Sequence, residues 1–124
     1  MKLKVFPKNT PEATIERIVQ TLSDGGVIVY PTDTTYALGC NAMKERAVER
    51  VCKIRNIDIA THPLSIVCYD MSAISEYARI ENNIYKTIRR NLPGPFTFIL
   101  PGKNTLPKIF RACKGKEVGI RMPD

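Results

Sequence analysis

The chain has no tryptophan, a single histidine (His62), and no apolar run near the roughly 20 residues that a membrane helix needs. One histidine excludes a histidine-rich zinc site. Its four cysteines, Cys40, Cys52, Cys68 and Cys113, are widely spaced, with no CxxC pair among them. Such spacing argues against a disulfide framework or a thiolate metal centre and for buried or idle thiols. Walker A, GxGxxG, GxSxG and HExxH patterns are all missing, so phosphate-loop, dinucleotide-fold, serine-hydrolase and zincin readings have no support. Acidic side chains are the scarcer charge, 12 against 19 basic, for a net charge of +7. That balance favours anionic partners, nucleotides or RNA, without choosing between them. The segment from Met1 to Pro7 carries charge but no apolar stretch of signal-peptide length, so a cytoplasmic location without membrane contact is expected.

What is present reads as one α/β domain over residues 1–124, long enough for a hydrophobic core. Asn9-Thr10-Pro11 suits a helix start, and Ile15, Ile18, Val19 and Leu22 follow as one apolar stripe. Gly25-Gly26 stops that helix, and Val27-Ile28-Val29-Tyr30 then reads as a buried strand ended by Pro31. A second helix fits Lys44 to about Lys53, with Ala47, Val48, Val51 and Cys52 inward. After a polar loop come a strand over 64–69, helices over 72–78 and 82–91, a strand over 96–100, a short helix over 106–112 and a strand over 118–122. This alternation predicts a twisted mixed sheet with flanking helices. The last strand ends two residues before Asp124 with no helix after it to cover it, so a chain truncated at its C-terminus is expected.

Three groups of residues could carry chemistry. Thr32, Asp33, Thr34, Thr35 and Tyr36 lie at the carboxyl end of the first strand, where polar groups can line a ligand crevice before a turn at Gly39. They equally suit a threonine-rich turn that satisfies its own backbone. Lys53 and Arg55 offer a point charge and a planar fork suited to a polyphosphate. Residues two apart on a helix point about 200° from each other, so both reach one anion only if the helix ends near Lys53. Otherwise they form a basic helix end facing its own dipole. Arg121 sits inside an apolar strand and needs an anionic partner, either a substrate carboxylate or an internal acid. Thr97 after Pro93-Gly94-Pro95 is a weaker candidate, since threonine also simply fits a pleated surface.

Taken in order, GGVIVYPTDTTYALGC, KIR, LPGPFTFIL and VGIRMP resemble the threonylcarbamoyl-AMP synthase family, the YrdC-like domain, from about Pro11 to Pro123. The resemblance implies a YrdC-like fold and a nucleotidyltransferase that combines L-threonine, bicarbonate and ATP into threonylcarbamoyl-AMP and pyrophosphate. That product serves tRNA processing, the t6A modification at position 37, and Mg2+ is expected on the phosphates. By motif position, the resemblance implies that Lys53 and Arg55 are catalytic and ATP-binding, with Thr97 also near the nucleotide. It assigns Thr34 and Arg121 to L-threonine, and Thr32, Thr35 and Tyr36 to the pocket wall. No residue is assigned as a metal ligand. The family's Ser-x-Asn motif would lie beyond Asp124, and the loop from Asn56 to Leu64 is longer than the family's usual KxRP-to-NPL connection. These departures resemble a side branch, for which double-stranded RNA or tRNA binding without synthase activity is the alternative expectation.

Overall fold

The computed structural model describes residues 2–6, 8–62, 64–111 and 116–124. Its order is α1 (Glu12–Ser23), β1 (Ile28–Pro31), β2 (Tyr36–Gly39), α2 (Glu45–Arg55), β3 (Ser65–Val67), α3 (Met71–Tyr77), α4 (Asn82–Asn91), β4 (Gly94–Pro101), α5 (Lys108–Arg111) and β5 (Glu117–Met122). The mixed α/β class is as expected, but the strands form two sheets rather than one. β1 and β2 make an antiparallel hairpin; β3, β5 and β4 make a second sheet with β5 in the middle. β5 runs parallel to β3 and antiparallel to β4.

The second sheet separates its two faces cleanly, because successive side chains alternate across a strand. Val118, Ile120 and Met122 of β5 are buried, with Ile66 of β3 and Leu100 of β4 on the same face. They join Val48 and Cys52 of α2, Ile74 of α3, Ile88 of α4 and Phe110 of α5 in one core. The core face of the final strand is therefore covered by helices that precede it in the chain. The opposite face carries Ser65, Val67, Gly119, Arg121, Thr97 and Ile99, and Ile99 there is 68% exposed.

Helix ends follow local chemistry. Asp70 accepts the Ala73 N–H at 2.8 Å and so caps α3. Lys103 donates its N–H to the Tyr77 carbonyl at 2.8 Å and its ammonium to the Ser75 carbonyl at 2.5 Å, closing the other end. α1 starts one residue later than Asn9-Thr10-Pro11 suggests. Pro11 stands at its N-cap without a side-chain cap, and the Thr10 hydroxyl bonds Phe6 instead. Its apolar stripe exists, yet no residue of α1 is buried. β1 also differs from the buried strand expected: Val29 is 67% exposed and Pro31 remains in the ladder opposite Tyr36. Gly39, expected in a turn, is paired with Ile28 at the end of β2.

Cys52 and Cys68 are free and buried; Cys40 is free and half-buried, and Cys113 lies outside the described residues. Burial pushes the Cys52 and Cys68 thiols above their ordinary value, and the carboxylates of Asp58 and Asp70 respectively add to it. Tyr77 is raised in the same way, by burial and then by Glu76. At alkaline pH the unfolded chain loses these protons before the folded one does. Stability should therefore be complete below the ordinary thiol range and fall as pH rises through the raised folded values. Urea midpoints from pH 7 to 10 check this, and a midpoint that rises across that range would contradict it. Truncating Ile120, fully buried at the centre of the second sheet, should cost about 2–5 kcal/mol in the same urea titration.

Candidate functional site

Hairpin, helices and second sheet surround an open cavity of about 900 Å³. Ile18 and Leu22 of the α1 stripe line it, whereas Ile15 and Val19 of the same stripe are exposed. The hairpin contributes Ile28, Tyr30 and Thr32 from β1 and its exit, then Thr35 through Cys40 from the returning strand. Val48, Val51 and Arg55 come from α2, Ser65, Ile66 and Val67 from β3, and Arg121 from β5. A mostly apolar wall with a few polar groups is the usual make-up of a small-molecule site.

The threonine cluster forms the hairpin tip. Thr32 N–H donates to the Thr35 carbonyl at 3.1 Å, and the Thr32 hydroxyl donates to the same carbonyl at 2.7 Å. That hydroxyl accepts the N–H groups of Thr34 and Thr35, each at 3.2 Å, and lies 3.1 Å from the Thr34 hydroxyl. The cluster thus satisfies its own backbone, as side-chain hydroxyls in turns do. Thr32, Thr35 and Tyr36 line the cavity; Thr34 does not.

α2 runs on through Arg55, two residues past the expected end. Asn56 then adopts the left-handed region at φ 54°, with its N–H on the Lys53 carbonyl and the Ile57 N–H on the Cys52 carbonyl. This pair of bonds is the usual closure of a helix by a left-handed residue. Helical geometry therefore holds at both cations, which corrects the extended exit required for them to share an anion. Arg55 lines the cavity and Lys53 does not. Thr97 is also outside the lining, although it pairs with Arg121 across the open face of the sheet.

Arg121 has an internal partner. Its Nη2 donates to Asp33 Oδ1 at 3.3 Å, and the two side chains are 22% and 14% exposed. The Asp124 N–H donates to Asp33 Oδ2 at 3.2 Å. Arg121 Nε is buried and has no hydrogen-bond partner.

Tyr30 is a cavity residue that the motifs did not single out. Burial raises its hydroxyl above the ordinary tyrosine range, and the nearby Arg121 charge opposes part of that rise. A Cβ at Gly39 would stand 2.6 Å from the Tyr30 ring, so glycine there leaves room for the ring beside β2. The available signal was strand alternation, which puts Ile28, Tyr30 and Thr32 on one face and exposed Val29 on the other.

A Mg2+ on the phosphates would draw its ligands mainly from the nucleotide and water, because the described residues of this cavity offer no protein cage for it. Among the described residues no group of three or more histidine, cysteine, aspartate or glutamate side chains could hold a metal ion. Both oxygens of Asp33 are already engaged.

Comparison with known proteins agrees with this architecture. The family model covering Sua5, YciO and YrdC proteins, described as "Telomere recombination", matches residues 20–124. The crystal structure of Escherichia coli YciO superposes with a TM-score of 0.88 at 38% identity, over 95% of this chain and 57% of that one. The structure of P. abyssi Sua5 complexed with L-threonine gives 0.81 at 28% identity, over 94% of this chain and 34% of that one. A Methanocaldococcus jannaschii protein named putative threonylcarbamoyl-AMP synthase is 33% identical over 124 residues, 98% of this chain and 58% of its own length. The chain spans a little under three-fifths of the length of the curated relatives that it matches over nearly all of its own residues. With the motifs in order, the YrdC-like fold and a family-model match over most of its residues, this chain belongs to the Sua5/YciO/YrdC family.

Proposed function

We propose that the cavity binds L-threonine and ATP and that the chain is built for L-threonylcarbamoyladenylate formation. One observation carries the reading: two cations from separate elements, Arg55 on α2 and Arg121 on β5, line the same largely apolar cavity as Thr32 and Thr35. The reaction brings two anions together, an amino-acid carboxylate and a polyphosphate, so it needs two separated positive groups. The relatives named threonylcarbamoyl-AMP synthase and the Sua5 structure complexed with L-threonine support the same substrate class.

In this reading bicarbonate loses hydroxide to give carbon dioxide, and the threonine amine bonds to that carbon. The amine proton leaves with the hydroxide as water, and the new carbamate oxygen attacks the α-phosphorus. The bond to the β-phosphate oxygen breaks, and pyrophosphate leaves with the electron pair. No nucleophile from the protein is required. The work is placement and charge neutralisation: Arg121 receives the threonine carboxylate and Arg55 faces the phosphates. Removing water from the apolar wall strengthens both contacts, because charges attract more strongly at low dielectric. Thr34 and Thr97 would contribute from the cavity's edge, and Lys53 from the far side of α2 as a longer-range charge.

A second reading, double-stranded RNA or tRNA binding, draws on the +7 charge and on Lys86, Arg89 and Arg90, all exposed on α4. Binding of that kind is led by phosphate contacts and falls steeply with salt.

Calorimetry with ATP and L-threonine separates these roles. Arg55→Ala should weaken ATP by about tenfold or more, the scale of a lost charge-assisted hydrogen bond, whereas Lys53→Ala should change it far less. Equal losses in the two variants, or no ATP binding by the parent chain, would remove the phosphate assignment. For RNA, Arg89→Ala with Arg90→Ala should lower duplex affinity in a filter-binding series and flatten its salt slope by about one to two contacts. An unchanged slope would exclude α4 as the contact surface.

A further inference from the structure

The carboxylate in the threonine-rich tip has no role in the scheme above, yet it makes the one side-chain ion pair among the described residues. Asp33 lies 88 positions before Arg121 and reaches it from the hairpin. It grips the end of the second sheet at two points, the Arg121 guanidinium through Oδ1 and the Asp124 N–H through Oδ2. The turn that carries it is fixed by the Thr32 hydroxyl, which bonds Thr34 and Thr35. The self-satisfied turn thus acts as a mount for one aspartate.

How Asp33 holds the arginine also matters. A two-pronged arginine–carboxylate pair uses parallel N–H donors at about 2.7–2.9 Å. Here one donor is used, at 3.3 Å, while Nε is buried and unpaired. A guanidinium offers five N–H donors, so this contact balances the charge without exhausting the fork. Asp33 is also tied by its second oxygen to Asp124, which opposes its swinging into the cavity as a competing carboxylate.

We propose that Asp33 is the positioning residue for Arg121: it sets the guanidinium at the cavity wall through one Nη2 N–H and leaves the remaining Nη donors for an incoming amino-acid carboxylate. This rests on the reading of Arg121 as the L-threonine contact. A carboxylate suits the task because the Arg121 side chain is only 22% exposed and its Nε is buried, so its charge is costly without a counter-charge when the cavity is empty.

Asp33→Asn keeps size and an acceptor oxygen for Asp124 but removes the charge. On 15N-labelled protein, the Arg121 Nε–H signal should be ordered and slow to exchange in the parent. In Asp33→Asn it should be mobile and fast-exchanging, and in the charge-preserving Asp33→Glu close to the parent. Calorimetry should show L-threonine affinity about tenfold weaker in Asp33→Asn and largely kept in Asp33→Glu, with ATP affinity unchanged in both. A purely structural role would lower both affinities together. An Arg121 Nε–H that stays ordered in Asp33→Asn overturns the inference, whether or not L-threonine binds. L-Threonine loss in Arg121→Ala without loss in Asp33→Asn also overturns it, while leaving the reading of Arg121 intact. Unchanged L-threonine affinity in Arg121→Ala removes that reading itself, and the positioning role with it.

Discussion

A guanidinium in the central strand of a sheet has to be neutralised, and in this protein the neutralising group comes from the other sheet. Arg121 is flanked by Ile120 and Met122, which face the core, so its own side chain is forced onto the opposite, open face. Asp33 meets it there at 3.3 Å. This contact ties the β1–β2 hairpin to β5, and the space kept between them is the cavity. Weak as one partly screened ion pair is in stability terms, it bridges the two sheets.

The second sheet gives its two faces different work. One packs Val118, Ile120, Met122, Ile66 and Leu100 against four helices and supplies the rigidity. The other keeps Gly119, Ser65 and Thr97 beside Arg121 and leaves Val67 and Ile99 uncovered. α2 serves both purposes: Cys52 is in the core, Val48 touches core and cavity, and Arg55 reaches the cavity from the last turn. Placement of a charge on a well-packed helix limits its motion, which suits a site whose chemistry depends on position more than on a protein nucleophile.

Elements with strong periodicity were legible. α2 and α4 show the 3.6-residue stripe, and β5 alternates buried and half-buried positions through Val118, Ile120 and Met122. β2 was not legible, because Tyr-Ala-Leu-Gly is short and has no alternation, and its pairing depends on a turn whose hydroxyls looked like site residues. α2 ends two residues later than its pattern suggests, because Asn56 takes the left-handed conformation that closes a helix after Arg55. Asp70, an aspartate immediately ahead of the α3 stripe, is a local capping signal of the same kind. In the site, the types of residue were legible but not their directions. Thr32, Thr35, Tyr36, Arg55 and Arg121 line the cavity, Lys53, Thr34 and Thr97 do not, and Tyr30 was hidden inside an apolar run.

The sequence by itself determined the α/β class, the helical and β5 core positions, the excess of positive charge and the ordered motifs that mark the family, since all of these are properties of neighbours along the chain. It also required that Arg121 find an anion. Tertiary structure alone decided that the anion is Asp33, that the strands divide into two sheets, and that Arg55 rather than Lys53 faces the cavity. Those outcomes depend on contacts between residues tens of positions apart and on the rotation of a helix about its axis, which periodicity constrains but packing sets.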